Sequence, residues 1–178
     1  EFSETGTAID FIQFPRQTLQ YTNGDCDDLT ALYTSLLEAI GVETAFITVP
    51  GHIYAAFALE TLSDEVDRQF SRPRDLIVLE DKVWLPVEIT MFQESFEAAW
   101  QKGAKEWREH REKDQAVLFP TRRAWSTYQA VGFAEEGSQI ALPDRRTVTA
   151  AIQGSISRYV EKEIYPQVQK IEKLIVRS

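Results

Sequence analysis

The chain has 178 residues, 43% of them hydrophobic and 26% charged, and its formal net charge is −9. This length and composition are ordinary for one globular domain with a sizeable core, and no apolar run approaches the roughly 18–20 residues that cross a bilayer. Residues 1–65 hold eleven acidic side chains and one basic side chain, Arg16. Because such a surface repels phosphates, the charge argues against a nucleic-acid partner. A solvated acidic face is the simplest interpretation, and a cationic substrate or a divalent cation is compatible with it.

The clearest predicted helix covers residues 26–40. Asp25 is a good N-cap, and Gly41 can end the helix in a left-handed conformation. Apolar side chains recur at helical spacing and form one stripe, which we expect to pack on the core: Leu29, Leu32, Tyr33, Leu36, Leu37 and Ile40. Cys26 is expected to project from the same face, in the first turn.

Short β-branched and apolar segments follow the helix and predict a sheet. The predicted strands are 43–49, 52–59, 76–79 and 83–89, the last two forming an antiparallel pair. Pro50-Gly51 marks a turn between the first two. Pro86 indicates an edge or a bulge, and Trp84 and Glu88 are expected to share a face.

The rest of the chain is predicted to be mainly helical. Residues 92–115 read as a helix, residues 116–145 as loops with short elements, and residues 146–176 as a second helix. Pro166 is expected to kink or split that last helix. The sequence therefore predicts a single α+β domain over residues 1–178, with a core at about 13–92 and a helical extension at about 93–178. We expect the domain to come from a longer native protein.

Three side chains have the chemistry of a nucleophilic triad. Cys26 is the only cysteine, so an internal disulfide and a Cys-x-x-Cys metal pair are excluded. Cysteine attacks carbonyl groups as the thiolate, which a helix N-terminus and a neighbouring imidazolium both favour. His52, at the start of a predicted strand, would supply that imidazole and protonate the leaving group. Glu88 would orient the imidazole from its other side.

Several other residues are candidates for parts of the same site. Gln20, Tyr21 and Trp84 are candidates for binding an oxyanion or a substrate; Gln20 and Tyr21 could donate hydrogen bonds, and Trp84 is expected to pack beside the site. Asp25 and Asp27 flank the thiol, and their hard carboxylate oxygens suit Ca²⁺. Because acidic first turns are common in helices, the alternative is that these carboxylates only face solvent.

The motifs around these residues resemble the bacterial transglutaminase-like superfamily. The resemblance lies in Gly24-Asp25-Cys26-Asp27-Asp28-Leu29, in Gly51-His52 and in Trp84-Leu85-Pro86-Val87-Glu88-Ile89-Thr90, and it covers roughly residues 13–92. It implies a papain-like α+β core in which the cysteine helix packs on an antiparallel sheet. It also implies that Cys26 is the nucleophile, His52 the base and Glu88 the orienting carboxylate. Glu88 stands where the family usually has Asp, and Ile53-Tyr54 where it commonly has Ala-Trp.

The function that this resemblance implies is a thiol acyl-transfer enzyme that hydrolyses peptide or side-chain amide bonds. It needs no cofactor, with Ca²⁺ as an alternative. A protein cross-linking transglutaminase and a non-catalytic interaction module of a larger protein are the other hypotheses. The expected partners are a protein or peptide substrate and helical-repeat domains of the same native chain. The compartment is open, with a bacterial cell envelope or periplasm as the working expectation.

Overall fold

A five-stranded antiparallel sheet forms the centre of the structure. The structure is a computed structural model, and it describes residues 11–129, 131–132 and 140–175. The strands are β1 (Thr44–Val49), β2 (His52–Leu59), β3 (Ile77–Leu79), β4 (Lys82–Val87) and β5 (Val117–Pro120). Their order in the sheet is β3-β4-β2-β1-β5, and every neighbouring pair is antiparallel. The α+β class and the antiparallel sheet are therefore confirmed.

Seven α-helices surround this sheet in the described part of the chain. They are α1 (Pro15–Tyr21), α2 (Cys26–Ala39), α3 (Val66–Gln69), α4 (Phe96–Arg111), α5 (Thr121–Thr127), α6 (Arg145–Tyr159) and α7 (Tyr165–Ile175). Single 3₁₀ turns occur at 63–65, 73–75 and 89–91. None of the helices in the described ranges combines the length and the apolarity that a bilayer crossing needs.

The sheet is covered by apolar side chains on both faces. One cluster contains Ile47, Tyr54 and Trp84 with their neighbours, and the other packs Val83, Leu85 and Val87 of β4 against α4. Five consecutive residues of β4, 83–87, are buried, and so are residues 54–56 of β2, because both faces of these strands are enclosed. Part of the core lies where β4 meets α4, a helix that the sequence assigns to the extension beyond the predicted core at about 13–92.

Helix α2 begins and ends close to where the sequence predicts, but a different face is buried. Thr30 and Thr34 are enclosed, whereas Leu36 and Ile40 of the predicted stripe are more than half exposed. Each threonine hydroxyl donates a hydrogen bond to a carbonyl group of the preceding turn: Thr30 to Cys26, and Thr34 to Thr30. Small side chains whose polar atoms already have hydrogen-bond partners let a helix lie close to a strand. The prediction of the buried face was wrong because it counted only hydrophobic side chains.

The predicted pattern of strands holds, with one addition. Residues 60–75, expected as a loop, contain the short helix α3 and two 3₁₀ turns. Residues 116–145, expected as loops with short elements, supply β5, which pairs with β1 from Ala45↔Pro120 to Thr48↔Val117. Residues 130 and 133–139 of that stretch lie outside the described residues.

Pro86 lies where strand β4 has a strand neighbour on one side only. It pairs with Ala56 of β2, and β3 ends before reaching it. The backbone of α4 covers the open side: the amide of Glu88 donates to the carbonyl of Ala99 at 3.0 Å. Amides two residues apart point to the same side of a strand. Proline, which has no amide, therefore leaves no donor unsatisfied there. The strand is an edge only locally at Pro86, because β4 as a whole lies between β3 and β2.

The C-terminal helices α6 and α7 are joined without a break into one continuous helical segment. A π-helical turn at Val160–Ile164 joins α6 to α7, directly before Pro166, whose ring cannot fit the regular hydrogen-bond pattern. The predicted break at Pro166 is thus a widened turn within a continuous helix. The last residue of the predicted helix, 176, lies outside the described residues.

Candidate active site

The first turn of α2 is built around a buried aspartate. Asp28 accepts hydrogen bonds from the amide and the side-chain nitrogen of Gln13, each at 2.6 Å. Asp25 caps the helix, and its side chain and that of Asp28 bond each other's backbone amides. A Cβ on Gly24 would lie 2.8 Å from the Cβ of Asp28, so only glycine fits at that position. These contacts hold the chain segment that presents Cys26.

Cys26 opens this helix and is partly accessible to solvent. The hydroxyl of Thr30, one turn later, donates to the carbonyl of Cys26 at 2.6 Å and lies 3.5 Å from the carbonyl of Ile53. One hydroxyl therefore joins the first turn of α2 to the start of β2, where His52 is the first residue. The thiol and the imidazole are carried by backbone segments that lie side by side.

His52 and Glu88 form a direct contact. The Nε2 atom of His52 lies 2.7 Å from Oε2 of Glu88, and the side chains are 25% and 3% exposed. The other oxygen of Glu88 accepts hydrogen bonds from the amide and the hydroxyl of Thr90, at 3.1 and 2.6 Å. The imidazole also stacks on the ring of Tyr54, with the ring centroids 5.7 Å apart. One nitrogen of His52 is thereby committed to the carboxylate, and Nδ1 is left for a second partner.

The electrostatics favour an ionised Glu88. Burial raises the pKa of its carboxyl group, but hydrogen bonds with Thr90, His52 and Glu106 outweigh burial and leave the pKa below its ordinary value. An ionised carboxylate is an acceptor only, so His52 must donate from Nε2. That contact fixes the tautomer of the neutral ring, and it also stabilises the ring when it is positively charged.

The substrate and oxyanion candidates occupy different environments. Tyr21 is exposed at the end of α1, and Gln20 beside it is partly buried. Both lie on the segment that leads into the cysteine helix. Trp84 is only 2% exposed and belongs to the core. A ring so enclosed packs against its neighbours in the core, as expected, and a part of Trp84 in substrate binding stays a prediction.

The acidic residues beside the thiol are engaged with the protein itself. Carboxylate oxygens of Asp25, Asp27 and Asp28 lie within 4.8 Å of one another. Asp28 binds Gln13, and the amide of Asp28 donates to both Asp25 and Asp27. A hydrogen bond with Asp27 lowers the pKa of Asp25, against a small opposing effect of burial. Helix capping accounts for these contacts, and calcium at Asp25 and Asp27 stays a prediction.

The structure places one further acidic residue near the imidazole. Glu106 of α4 places a carboxylate oxygen within 4.8 Å of the ligand atoms of both His52 and Glu88. The His52–Glu88 separation of 2.7 Å is a hydrogen-bond length, shorter than the roughly 3.3 Å between two ligands of a tetrahedral zinc ion. We therefore describe this group as a hydrogen-bonded cluster. Gly103, a glycine inside a helix, was the available sequence signal, since it marks close approach of another backbone.

Comparison with known proteins adds no relative to this geometry. No protein-family model, no curated protein and no solved structure matches the chain.

Proposed function

We propose that this protein is a cysteine acyl-transfer enzyme with a Cys26–His52–Glu88 triad, and that it hydrolyses peptide or side-chain amide bonds. The observation that carries the proposal is the His52–Glu88 contact of 2.7 Å, placed at the start of the strand beside the first turn of the cysteine helix. A carboxylate behind one imidazole nitrogen, with a thiol on the adjacent backbone segment, is the arrangement that a thiol nucleophile and its base need.

The reaction follows from the roles of these groups. The thiolate of Cys26 attacks the amide carbonyl carbon, and the amides at the start of α2 can stabilise the resulting oxyanion. As the carbon–nitrogen bond breaks, the imidazolium of His52 gives its proton to the departing amine, and an acyl-thioenzyme remains. Water then loses a proton to His52 and attacks the thioester carbon, and the carbon–sulfur bond breaks to regenerate the thiolate.

The resemblance to the bacterial transglutaminase-like superfamily and a papain-like core belong to the same proposal. The helix that packs on an antiparallel sheet is compatible with both. In a cross-linking transglutaminase a lysine amine would replace the water of the second step. Product analysis with and without a primary amine separates the two reactions, because only cross-linking incorporates the amine.

Alkylation of the single thiol tests the proposal. We expect iodoacetamide to label Cys26 near pH 6 at least about tenfold faster than free cysteine, because a thiolate–imidazolium pair persists at a pH where a free thiol is protonated. His52→Ala should remove most of that excess. His110→Ala, which replaces the only other histidine, should not. Intact-mass spectrometry follows the rate without ambiguity, since no second cysteine exists.

A rate no greater than that of free cysteine would reject the enzyme. The second candidate is then a non-catalytic interaction module, which a separate observation favours. Helices α6 and α7 expose a series of apolar side chains: Ile152, Ile156, Val168, Ile171, Leu174 and Ile175. A groove of about 610 Å³ lies between α6 and the body of the domain, lined by Phe96, Trp100 and Tyr159 among others. Exposed apolar faces of this kind bind other helices, including the helical-repeat domains expected in a longer native chain.

A further inference from the structure

Helix α4 is held against the end of β4 by backbone contacts. The carbonyl of Ala99 accepts the amide of Glu88, and the carbonyl of Gly103 accepts the hydroxyl of Tyr54 at 3.1 Å. A Cβ on Gly103 would lie 3.1 Å from the nitrogen of Glu88. These contacts fix the helix along its axis and around it. Glu106 follows Ala99 by seven positions and Gly103 by three, so it lies on the same face.

The carboxylate of Glu106 is only half satisfied by its own helix. Its Oε1 atom accepts from the ammonium group of Lys102 at 2.5 Å. Its Oε2 atom is buried and, apart from the carboxyl contact of Glu106 with Glu88, this side of the carboxylate accepts no hydrogen bond from residues 11–129, 131–132 and 140–175. A buried acceptor without a donor costs free energy. That cost is recovered when a positive charge or a donor is present beside it.

The only group of the cluster that gains positive charge during the proposed reaction is His52. Its ring contacts Glu88 at the end of β4, stacks on Tyr54 of its own strand and lies within 4.8 Å of Glu106, which in turn pairs with Lys102 on α4. The titratable groups on the adjacent first turn of α2 are Cys26, Asp25 and Asp27. Burial, together with the charges of Glu106 and Glu88, raises the pKa of Tyr54, so that ring stays neutral and adds no charge of its own.

We propose that Glu106 is a positioning residue of the Cys26–His52–Glu88 site, which supplies a second carboxylate that stabilises the imidazolium form of His52. This inference rests on the proposed function. At a separation below 5 Å and in a partly buried setting, a second carboxylate has a sizeable effect on a cation. It increases the fraction of protein in which the thiolate and the imidazolium coexist.

The pH dependence of Cys26 alkylation tests this role. Glu106→Gln keeps the size of the side chain and removes its charge. We expect its iodoacetamide rate at pH 6 to fall about five- to tenfold, because the thiolate exists there only beside an imidazolium. At pH 9 the rate should equal that of the wild type, since the thiolate no longer depends on that partner. Glu106→Asp should recover part of the pH 6 rate.

Glu109→Gln is the matched control. Glu109 lies on the same helix, is exposed and pairs loosely with Lys105 at 3.6 Å, so its replacement should change neither rate. A fall in the Glu106→Gln rate that is equal at pH 6 and pH 9 contradicts a charge effect and indicates a merely structural role. An unchanged profile also overturns the inference. Slow labelling of the wild type at pH 6 instead rejects the proposed function itself, so the two failures are distinguishable.

A second variant keeps the test valid if Glu106→Gln does not fold. Lys102 is exposed and its pKa lies above its ordinary value, chiefly because of the hydrogen bond to Glu106. Lys102→Met removes the cation that competes for this carboxylate, so the pH 6 rate should rise about twofold or more. A rate that falls or does not change would count against Glu106 as the source of the effect.

Discussion

Asp28 is the residue that attaches the N-terminal segment to the cysteine helix. It is buried, and its two oxygens take both hydrogen bonds from Gln13 at 2.6 Å. Hydrogen bonds from neutral donors to a charged carboxylate are stronger than bonds between neutral groups, because they are charge-assisted. The residue therefore secures the start of α2 from behind the thiol.

Replacing Asp28 should destabilise the fold. Asp28→Ala removes the two hydrogen bonds from Gln13 and the longer one from the amide of Asp25, so we expect the free energy of unfolding to fall by about 2–4 kcal/mol. Urea denaturation monitored by tryptophan fluorescence measures it. Asp67→Ala makes the same charge change at an exposed site and should stay within about 0.5 kcal/mol of the wild type. Equal effects of the two variants would mean that the contacts of Asp28 contribute nothing.

At the scale of elements, the contact between α4 and β4 positions the carboxylate of the triad. The helix accepts the amide of Glu88, and its glycine at 103 lets the two backbones meet. Because Glu88 follows the last residue of β4, no neighbouring strand holds it. Its direction toward His52 therefore depends on this helix and on Thr90.

Two glycines inside helices give opposite expectations. Alanine normally improves a helix by up to about 1 kcal/mol over glycine. At Gly154 the nearest atom to an added Cβ is the flexible end of Arg158, at 3.4 Å, so Gly154→Ala should stabilise the protein by about 0.5–1 kcal/mol. At Gly103 the nearest atoms are backbone atoms of Pro86 and Glu88 at 3.1–3.2 Å. There, Gly103→Ala should destabilise it by about 1–2 kcal/mol.

Thermal and urea unfolding of both variants measure these changes. Gly103→Ala should also slow alkylation of Cys26 at pH 6, because the displaced helix carries Glu88 with it. Stabilisation by both substitutions would show that α4 does not approach β4 as closely as described.

The elements themselves were largely predictable from local pattern. The helix at 26–39 has an N-cap, an acidic first turn and a glycine shortly after its end, and four strands are short apolar or β-branched segments bounded by turns. Strand β5 was missed because its four residues end in a proline and gain their hydrogen bonds only from β1. Such a short segment has no periodicity of its own.

The candidate site was predictable in part. Cys26, His52 and Glu88 stood out through their residue types and their positions at element ends, and the structure brings His52 and Glu88 into contact. Glu106 lies 54 positions after His52 on a charged helix that also carries Glu97 and Glu109, and nothing in its neighbours distinguishes it. Only tertiary packing identifies it, because the docking of α4 selects which of its faces meets the imidazole.

At the scale of the whole molecule, the long C-terminal helix is attached through a charged contact. Arg72 donates two hydrogen bonds to Glu163 in the π-helical turn, at 2.8 and 3.0 Å. Glu97 of α4 lies beside Glu163. The pKa of Glu97 is raised, first by burial and then by the hydrogen bond with Glu163 and the charge of Glu163. The charges of Lys162 and Arg72 lower it, but by less. The attachment therefore favours a protonated Glu97.

This pair gives the stability a pH dependence. An acid whose pKa is raised by folding stabilises the folded state fully below its unfolded value, here 4.5, and loses that contribution as the pH rises through its folded value. We expect Glu97→Gln, which stays neutral, to gain melting temperature relative to the wild type as the pH increases from about 4.5 to 7. The size should be modest, since Glu97 is only partly buried and solvent screens its charge.

Melting curves at several pH values measure the difference. Glu94→Gln, at an exposed position before the same helix, is the control and should track the wild type throughout. A Glu97→Gln advantage that is constant with pH, or that shrinks toward pH 7, would contradict a carboxyl pair at this junction.

The two outermost strands have a consequence for how copies of the protein meet. The outermost strands β3 and β5 contain only three and four residues. Where β4 extends beyond β3, its open side is covered by the backbone of α4 and carries Pro86, which has no amide. Free strand borders are where chains add to one another and begin fibrils. With so little border available, the folded protein should resist strand-to-strand polymerisation even when crowded, and any self-association should occur through its apolar helices.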